Sequence, residues 1–301
     1  MSLITLFSSP KPFIDKHIST IQRNAIQSWL HLGDSVQVVL IGEETGLAQV
    51  TSEFGIRHLP NVQRNAQSTP LVSSIFSLAR QAGQSPLLAY VNADIILFPD
   101  FIHSARTVMA QCQQFLIIGQ RWDLEITDLI DFSADYQQRL TQNLRTKGQL
   151  HPPAGSDYFI FPRTVFTKIP DFAIGRAGWD NWMIYQARQQ GWPVIDATSS
   201  ITIIHQNHDY SHLPDGKPHY DLPESDDNMA LAGGINCMYT VLDSDRQLRD
   251  SAVRRPAFNL LRLARRMETW LMPPDQIRQG YRWALARKLR RWRRRKTGSL
   301  V

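Results

Sequence analysis

The sequence predicts an α/β fold in which a mixed, mainly parallel sheet is flanked by helices and followed by a basic helical appendage. Short apolar runs typical of buried strands alternate with amphipathic stretches, and 43% of the 301 residues are hydrophobic, enough for a sizeable core. The central strand is Leu87 to Val91, which is broken by Asn92, Ala93 and Asp94. Because ligands bind outside the carboxyl ends of strands in open α/β sheets, this break is the first candidate for a binding site.

The N-terminal half alternates strands and helices in the order of a parallel sheet with right-handed crossovers. It has no G-x-G-x-x-G motif after the first strand and no P-loop motif, so dinucleotide and P-loop sites lose their main support. We predict strands over residues 3–7, 36–41, 56–59 and 87–91, and helices over residues 15–32 and from Pro70 onward.

The second half carries two further polar segments. A stretch containing several glycines, Ala173 to Asn181, holds Asp180 ahead of a helix, and His205 and His208 directly follow an apolar strand. His212 and His219 lie within the same fifteen residues as these two histidines. We predict strands over residues 115–119, 158–161 and 194–204, and helices over residues 129–147 and 182–190.

Asp94 offers the hard oxygen ligand that Mg²⁺ and Mn²⁺ prefer, and these ions also accept imidazole nitrogen. His205 or His208 can supply that nitrogen from a second strand end, and we expect only one of them to be a ligand. Taken singly, an aspartate after a strand is more often a turn residue, and a histidine is more often bonded to a neighbour. The metal site is therefore predicted from the combination.

Asp180 lies near a predicted helix start, where the helix dipole stabilises its ionised form. It is either an N-terminal cap or a general base that removes a proton from an acceptor hydroxyl. In the second case, Trp179 and Trp182 form an apolar platform for a sugar or nucleobase. Asp157 is the second carboxylate candidate, for holding acceptor or donor hydroxyls.

Five ordered motifs lie between residues 3 and 242: Arg23–Ile26 with Ser28–Trp29, Tyr90–Ile96, Gly155–Phe159, Gly178–Trp182 and His205–Tyr210. With these motifs the chain resembles GT-A-type glycosyltransferases of the nucleotide-diphospho-sugar transferase superfamily, in particular a group of bacterial and plant proteins. The resemblance implies sugar transfer from a nucleoside-diphosphate donor to a hydroxyl of a glycan, a lipid-linked or a small-molecule acceptor, with Mn²⁺ or Mg²⁺ as cofactor.

By this resemblance, residues 92–94 stand where the superfamily has its metal-binding Asp-x-Asp motif, and His205 or His208 where many members have a third ligand. The first position is Asn92 rather than aspartate. An amide can still bond a ribose hydroxyl, but one negative charge is lost, so Asp94 carries the ligand role nearly alone.

The resemblance also places Asp180 where inverting members carry the catalytic carboxylate, with Asp157 as its companion. Ser8 and Arg64, together with Asn92 and Asp94, are the residues that we predict to contact the nucleotide.

Two other functions stay open. A nucleotidyltransferase shares the sheet order, but it usually has a glycine-rich basic loop after the first strand, where this chain has residues 8–12, Ser-Ser-Pro-Lys-Pro, with prolines that lack backbone donors. A non-catalytic sugar-binding or membrane-surface module is favoured by Asn92 and opposed by the combination of Asp94, Asp180 and the histidines.

The C-terminal segment differs in charge from the rest of the chain. Residues 254–296 contain fifteen Lys and Arg against two acidic residues, whereas the remainder has eighteen basic and twenty-five acidic residues. We therefore divide the chain into a catalytic domain over residues 1–250 and a basic helical tail over residues 251–301. The apolar stripes of the tail are Leu260, Leu263, Ala264, Met267, Trp270 and Leu271, then Ile277, Tyr281, Leu285, Leu289 and Trp292.

These stripes suit either an anionic membrane surface or docking on the acidic domain or a partner subunit. No recognisable nucleic-acid-binding fold is present, and we expect no nucleic-acid partner. Cys112 and Cys237 are too few for a disulfide framework, and no apolar run approaches the roughly 20 residues of a spanning helix. We expect a cytoplasmic protein, with the tail as its possible contact to the inner face of the membrane.

Overall fold

The computed structural model describes residues 2–208 and 222–298 and confirms the predicted α/β fold class. The strands in these residues are β1 (Ile4–Ser8), β2 (Val36–Ile41), β3 (Arg57–Leu59), β4 (Leu87–Val91), β5 (Ile95–Leu97), β6 (Leu116–Ile118), β7 (Trp122–Leu124), β8 (Gln149–Leu150), β9 (Tyr158–Pro162), β10 (Val194–Asp196), β11 (Ile203–Gln206), β12 (Arg246–Arg249) and β13 (Ala252–Arg254). The helices are α1 (Lys16–Leu30), α2 (Leu47–Phe54), α3 (Val72–Gln81), α4 (Asp100–Met109), α5 (Tyr136–Lys147), α6 (Trp179–Gln189), α7 (Pro223–Leu231), α8 (Leu260–Leu271) and α9 (Gly280–Thr297).

The main sheet has the strand order β13-β12-β10-β6-β9-β4-β1-β2-β3 within the described residues. Parallel pairs join β3, β2, β1 and β4, and also β6, β10 and β12, while β9 is antiparallel to both of its neighbours, β4 and β6. The first four strands with helices α1, α2 and α3 between them follow the predicted order. Apart from β9 and the short β13, the carboxyl ends of the strands therefore meet at one edge.

The central strands are buried on both faces, which gives the domain three layers. Ile4 and Leu6 of β1 pack with Trp29 of α1 on one side, whereas Phe7 packs with Phe76 of α3 on the other. Successive side chains of a strand point to opposite faces, so a continuous apolar run is required where both faces are covered. This arrangement explains why β1, β4 and β9 contain no charged residues.

A second, smaller sheet has the order β5-β11-β7-β8 and lies against α1. Trp29 Nε1 donates to the carbonyl of Ile95 at 2.8 Å, and Ser28 Oγ accepts from the backbone N–H of Leu97 at 3.1 Å, so α1 holds both ends of β5. Asn24 donates to the side-chain oxygen of Gln206 on β11 at 3.0 Å. The motif at residues 23–29 therefore fixes the small sheet in place.

The strand predicted over residues 194–204 is wrong as a single element. The chain forms β10 in the main sheet and β11 in the small sheet, separated by a turn. In that turn the carboxylate of Asp196 accepts from both the backbone N–H and the hydroxyl of Thr198, at 3.0 and 2.6 Å. Aspartate, threonine and serine side chains favour such local bonds over a strand ladder, which explains the break.

The helix predicted from residue 129 begins only at Tyr136. Residues before it form turns in which Asp131 accepts the backbone N–H of Ser133 at 3.0 Å. One face of the helix is covered, because Tyr136, Leu140 and Leu144 are buried against the small sheet. The apolar side chains of α5 thus close the outer face of that sheet.

The tail consists of α8 and α9, which pack against each other. The hairpin of β12 and β13 belongs to the main sheet, so residues 252–254, which we assigned to the tail, pair with the domain. The helical part begins at Leu260. Among the described residues, no helix is both long and apolar enough to cross a membrane.

Replacing Asn24 tests whether α1 holds the small sheet. Asn24 is fully buried, donates to Gln206 and accepts the N–H of Ile130 at 2.9 Å. Asn24→Ala leaves both partners unsatisfied, and we expect a loss of about 2–4 kcal/mol in the free energy of unfolding, measured by urea denaturation. Thr20→Ala, which removes a surface hydrogen bond from the same helix, should change stability by less than about 0.5 kcal/mol. Equal effects for the two variants would contradict this role.

Candidate active site

Asp94 lies at the junction of the two sheets. After β4 the backbone N–H of Asn92 donates to the carbonyl of Asp157 at 2.9 Å, and the N–H of Ile95 returns to the carbonyl of Asn92 at 3.2 Å. This tight turn sends the chain from the main sheet directly into β5. The Asp94 carboxylate is therefore held at the carboxyl edge of the main sheet and beside the first strand of the small one.

The register of the small sheet brings two histidines to Asp94. His205 on β11 is paired with Ile95 on β5 and with Asp123 on β7. Its Nε2 lies 3.9 Å from Asp94 Oδ2, and His208 Nε2 lies 3.1 Å from the same oxygen. One ligand atom from each of Asp94, His205 and His208 lies within 4.8 Å of the others. We expected one histidine in this position, and the structure brings both together.

The charges around Asp94 favour its ionised form. Burial raises the pKa of Asp94, but the hydrogen bond from His208 and the charges of His205 and Lys11 outweigh burial and hold the pKa well below its usual range. The ammonium of Lys11, which follows β1, lies 3.3 Å from His208 Nε2. Burial in turn lowers the pKa of Lys11, and Asp94 partly offsets this effect. The site is thus a carboxylate enclosed by groups that carry or accept positive charge.

The donor set of this cluster fits a divalent metal ion. Asp94 Oδ1 is buried and has no hydrogen-bond partner among the residues that the structure describes. Buried carboxylate oxygens are rarely left without a partner, and a metal ion satisfies one directly. With two imidazoles in addition, the ligands match the oxygen and nitrogen preference of Mn²⁺ and are tolerated by Mg²⁺.

Asp123 supports His205 from behind. Asp123 Oδ1 lies 3.2 Å from His205 Nδ1, an ion-pair distance without full hydrogen-bond geometry, and Asp123 Oδ2 lies 2.7 Å from Nδ1 of His151. Burial raises the pKa of Asp123. The contacts with His151 and His205 and the charge of Arg121 outweigh burial, so the pKa lies well below its usual range. A carboxylate behind a histidine fixes the orientation of the ring and leaves Nε2 facing the metal position.

Arg121 joins the two halves of the site. Its Nε donates to Asp123 Oδ1 at 2.9 Å, and its NH1 donates to Asp157 Oδ1 at 3.0 Å. The side-chain amide of Asn92 donates to the same oxygen of Asp157 at 2.7 Å. Burial lowers the pKa of Arg121, and the surrounding carboxylates Asp157, Asp123 and Asp94 raise it overall. Asp157 is therefore a fixed acceptor held by two donors.

Asp180 lies in the first turn of α6, as the sequence indicated. Its carboxylate touches Gly155, where a Cβ atom would collide with Asp180 Oδ2. Burial and the charge of Asp157 raise the pKa of Asp180 to about 6, although backbone N–H groups at the helix start oppose the rise. Asp180 and Asp157 thus face each other across the loop at residues 155–157.

The buried phenol of Tyr90 connects these carboxylates to Asp94. Burial raises the pKa of Tyr90, and the charges of Asp94, Asp157 and Asp180 raise it further. The three carboxylates therefore surround the end of β4, and the Tyr90 hydroxyl stays protonated between them. The structure brings together Asn92, Asp94, Asp157, Asp180, His205 and His208 of the predicted site residues.

Ser8 lies at the carboxyl edge of the sheet beside β4, whereas the described contacts of Arg64 are outside the site. The register pairs Phe7 with Tyr90, so Ser8 is level with Val91, and its buried Oγ has no hydrogen-bond partner among the described residues. Arg64 forms an ion pair with Glu44 at 2.9 Å and donates to the carbonyl of Ser68 at 2.7 Å. Among its described contacts, none reaches the Asp94 cluster.

The proposed aromatic platform is wrong. Trp179 and Trp182 are 6% and 7% exposed, and both belong to the core between α6 and the sheet. Trp179 packs against Tyr90 with ring centroids 5.0 Å apart, and Trp182 packs against Phe172 at 5.3 Å. Their apolar surface is used in packing and not for a ligand. His212 and His219, and the end of the last motif at residues 209 and 210, lie outside the described residues.

Sequence reasoning missed four residues of the site. These are Lys11, in the proline-containing segment after β1, Arg121 and Asp123, close behind the strand predicted over residues 115–119, and His151. A basic and an acidic residue directly after a buried strand are the signal that identifies Arg121 and Asp123. His151 has no comparable signal, because it reaches Asp123 from a loop 28 residues away in the chain.

Comparison with known proteins gives similarity at the level of the fold. No family model and no curated protein sequence matches the chain. Glucosyl-3-phosphoglycerate synthase from Mycobacterium tuberculosis, solved with Mn²⁺, uridine-diphosphate-glucose and phosphoglyceric acid, is 16% identical, with a TM-score of 0.47 over 78% of this chain and 81% of that one.

Two other solved structures are similar to the same extent. TarS from S. aureus, in complex with UDP-GlcNAc, is 10% identical with a TM-score of 0.48 over 77% of this chain and 66% of that one. A mannosyltransferase from Pyrobaculum calidifontis, in complex with GDP-Man and Mn²⁺, is 11% identical with a TM-score of 0.43 over 67% and 56%. The chain is similar to these proteins in fold, and no residue role, donor or acceptor is carried over from them.

Metal binding by the Asp94 cluster is directly measurable. We expect Mn²⁺ to raise the thermal midpoint of the purified protein, because an ion that binds only the folded state stabilises it by about 2.7 kcal/mol at a hundredfold excess over Kd. Asp94→Asn and His205→Ala should weaken Mn²⁺ affinity tenfold or more in calorimetric titration.

The matched control is His103→Ala, which removes an exposed histidine on α4. Unchanged Mn²⁺ affinity in Asp94→Asn would contradict the assignment of this cluster as a metal site.

Proposed function

We propose that this chain is an enzyme that transfers a sugar from a nucleoside-diphosphate donor to a hydroxyl of a glycan, a lipid-linked or a small-molecule acceptor. The observation that carries the proposal is the meeting of a metal-ligand cluster with a second carboxylate of raised pKa at one edge of the sheet. A pyrophosphate donor requires positive charge at its leaving group, and an acceptor hydroxyl requires a base. Both requirements have candidate groups here.

In this proposal Asp94, His205 and His208 hold Mn²⁺ or Mg²⁺. The bound ion supplies Lewis-acid charge to the pyrophosphate oxygens of the donor. Lys11, whose ammonium lies 3.3 Å from His208 Nε2, adds a second positive charge to the same region. The amide of Asn92 is assigned to the ribose of the nucleotide sugar. Ser8 and Arg64 are assigned to further contacts with the nucleotide, for which Arg64 must first leave its ion pair with Glu44.

Asp180 is the proposed general base of an inverting transfer. Its carboxylate takes the proton of the acceptor hydroxyl while the hydroxyl oxygen forms the new bond to the sugar and the nucleoside diphosphate leaves. A pKa of about 6 keeps Asp180 ionised at neutral pH and makes it a stronger base than an exposed aspartate. Asp157, fixed by Asn92 and Arg121, is assigned to the sugar or acceptor hydroxyls.

The proposed setting is the cytoplasm, with the tail at the inner face of the membrane as a further possibility. Both cysteines, Cys112 and Cys237, are free thiols. Free thiols persist in a reducing compartment such as the cytoplasm.

Nucleotide preference tests the reaction class. In isothermal titration with Mn²⁺, we expect UDP-glucose or GDP-mannose to bind more tightly than UTP or GTP. The affinity for the nucleotide sugar should fall at least tenfold when Mn²⁺ is omitted or when Asp94 is replaced in Asp94→Asn. His103→Ala should bind as the unaltered protein does. A preference for triphosphates would identify a nucleotidyltransferase, and absence of any nucleotide binding would identify a non-catalytic module; either result overturns the proposal.

The pH profile tests the role of Asp180. The base must be ionised, so the rate of nucleotide-sugar hydrolysis should fall about tenfold per pH unit below pH 6 and level off above it. Asp180→Asn should lower the rate by about 10²- to 10⁴-fold and remove the acidic limb, with donor affinity unchanged.

Gly155→Ala provides a second variant that keeps the carboxylate. The added methyl group displaces the Asp180 carboxylate without touching the metal cluster, so the rate should fall while Mn²⁺ affinity stays the same. A normal rate in Asp180→Asn would show that another group acts as base.

A further inference from the structure

The tail helix α8 binds the domain through arginines and not through its apolar stripe. Arg262 pairs with Asp196 and donates to Ser244 Oγ at 2.7 Å, and Arg265 donates to Asp243 Oδ2 at 2.8 Å. These side chains are almost entirely buried, at 13% and 7% exposure for the two arginines. The polar side of α8 therefore faces inward.

Helix α9 packs on α8 around another buried carboxylate. Glu268 is 1% exposed and accepts from Arg293 at 2.8 Å, with Arg290 3.6 Å away. A small apolar cluster lies beside it, made of Leu271, Met272, Ala286, Trp283 and Leu289. Together these contacts fix both helices on the domain in one orientation.

The consequence is an exposed apolar surface, which we call the tail surface. On α8, Leu260, Leu263, Met267 and Trp270 recur at the spacing of one helix face, and Trp270 is 73% exposed. On α9, Tyr281, Leu285 and Trp292 recur in the same way, and Tyr281 is 82% exposed. The tail surface consists of Phe258, Leu260, Leu263, Met267, Trp270, Tyr281, Leu285 and Trp292.

Basic residues are interleaved with this surface. Lys288 and Arg295 continue the stripe of Tyr281, Leu285 and Trp292 at the spacings of three and four residues, and both are exposed. Arg282 joins the two helices, because it donates to the carbonyl of Trp270 at 3.1 Å and lies 5.9 Å from the Trp270 ring. The tail surface thus presents aromatic and aliphatic groups with positive charge between and around them.

We propose that the tail surface binds an anionic membrane, with its apolar side chains among the lipid headgroups and acyl chains and its basic side chains on the phosphates. An anionic membrane complements the tail surface in two ways: its acyl chains accept apolar side chains, and its phosphates attract basic side chains. A second copy of the chain fits less well, because the exposed basic residues of the two surfaces, Lys288 and Arg295 among them, would face each other.

Hydrogen bonds link α8 to the candidate active site. Arg265 donates to the carbonyl of Met238 at 2.7 Å, and the next residue, Tyr239, accepts from the side chain of Asn181 at 2.6 Å. Asn181 adjoins Asp180. Helix α8 therefore lies two hydrogen bonds from the residue next to the proposed base. This relation rests on the proposed function, whereas membrane binding itself does not.

Vesicle flotation of the full chain tests the proposal. We expect the protein to float with vesicles of phosphatidylcholine and phosphatidylglycerol and to remain largely unbound with phosphatidylcholine alone, with binding reduced by added salt. Trp270→Ser with Leu263→Ser should weaken binding at least tenfold. Lys288→Gln with Arg295→Gln should weaken binding about 25-fold, at about fivefold for each basic residue.

Matched controls come from exposed residues outside the tail. Ile14→Ser with Leu129→Ser removes apolar groups that are 74% and 64% exposed, and Arg145→Gln with Lys168→Gln removes two exposed basic groups. Both double variants should bind vesicles as the unaltered protein does, and all variants should keep nucleotide binding and thermal stability, because every altered side chain is exposed.

Three outcomes would overturn the proposal. Equal loss of binding in tail and control variants would show a nonspecific electrostatic effect. Binding that depends on Lys288 and Arg295 but not on Trp270 and Leu263, and that RNA reproduces, would identify a polyanion site. A dimer in sedimentation that Trp270→Ser with Leu263→Ser disrupts, without vesicle binding, would assign the surface to a second copy. Failure of nucleotide binding in the unaltered protein would refute the proposed function and leave this result intact.

Discussion

The geometry of the candidate site depends on the hydrogen bonds from α1 to the small sheet. Trp29 and Ser28 hold β5, and Asn24 holds Gln206 at the end of β11. His205 precedes Gln206, and β5 begins directly after Asp94, so these bonds determine where the two candidate ligands meet. Small sheets of short strands have little stability alone. Buried hydrogen bonds to the long helix α1 hold the small sheet in one arrangement. A motif far from the site in the chain therefore controls the position of its ligands.

The site also depends on a balance of buried charge. Asp94, Asp123 and Asp157 lie close together, and Arg121 and Lys11 are placed among them. A cluster of carboxylates without such cations would bind protons and become neutral. Among the described residues no cation pairs with Asp180, and its pKa is accordingly raised where those of Asp94 and Asp123 are lowered. One group of acidic residues thus contains two kinds of carboxylate, one suited to ligation and one to proton transfer.

Much of this arrangement was predictable from local sequence, and the rest was not, for identifiable reasons. Asp94 and Asp180 stand at a strand end and a helix start, and both positions follow from hydrophobic pattern and turn residues. The neighbours of Asp94 depend on pairing between β5, β7 and β11, strands of three or four residues from distant parts of the chain, and such pairing has no local signal.

The same limit applies to apolar residues. The hydrophobic pattern predicted helices in the tail, and we expected Trp179 and Trp182 to be available to a ligand. Whether an apolar face is buried depends on the elements that pack against it. Trp179 meets the aromatic core above β4 and is covered. Most of the stripe of α8 is left uncovered, with Ala264 and Leu271 as its buried members, because Arg262 and Arg265 pair with buried carboxylates on the domain. Periodicity identifies a face and does not say which face is turned inward.

Those two ion pairs make the tail a structural part of the domain and not a detachable anchor. Asp196 and Asp243 are 6% and 5% exposed, because α8 both covers them and supplies their cationic partners. Breaking one such pair within the folded chain costs about 3–5 kcal/mol, a large share of the stability of an ordinary domain. A chain that ends before Leu260 would lose both ion pairs and the cover over both carboxylates, so the domain and the tail fold as one unit.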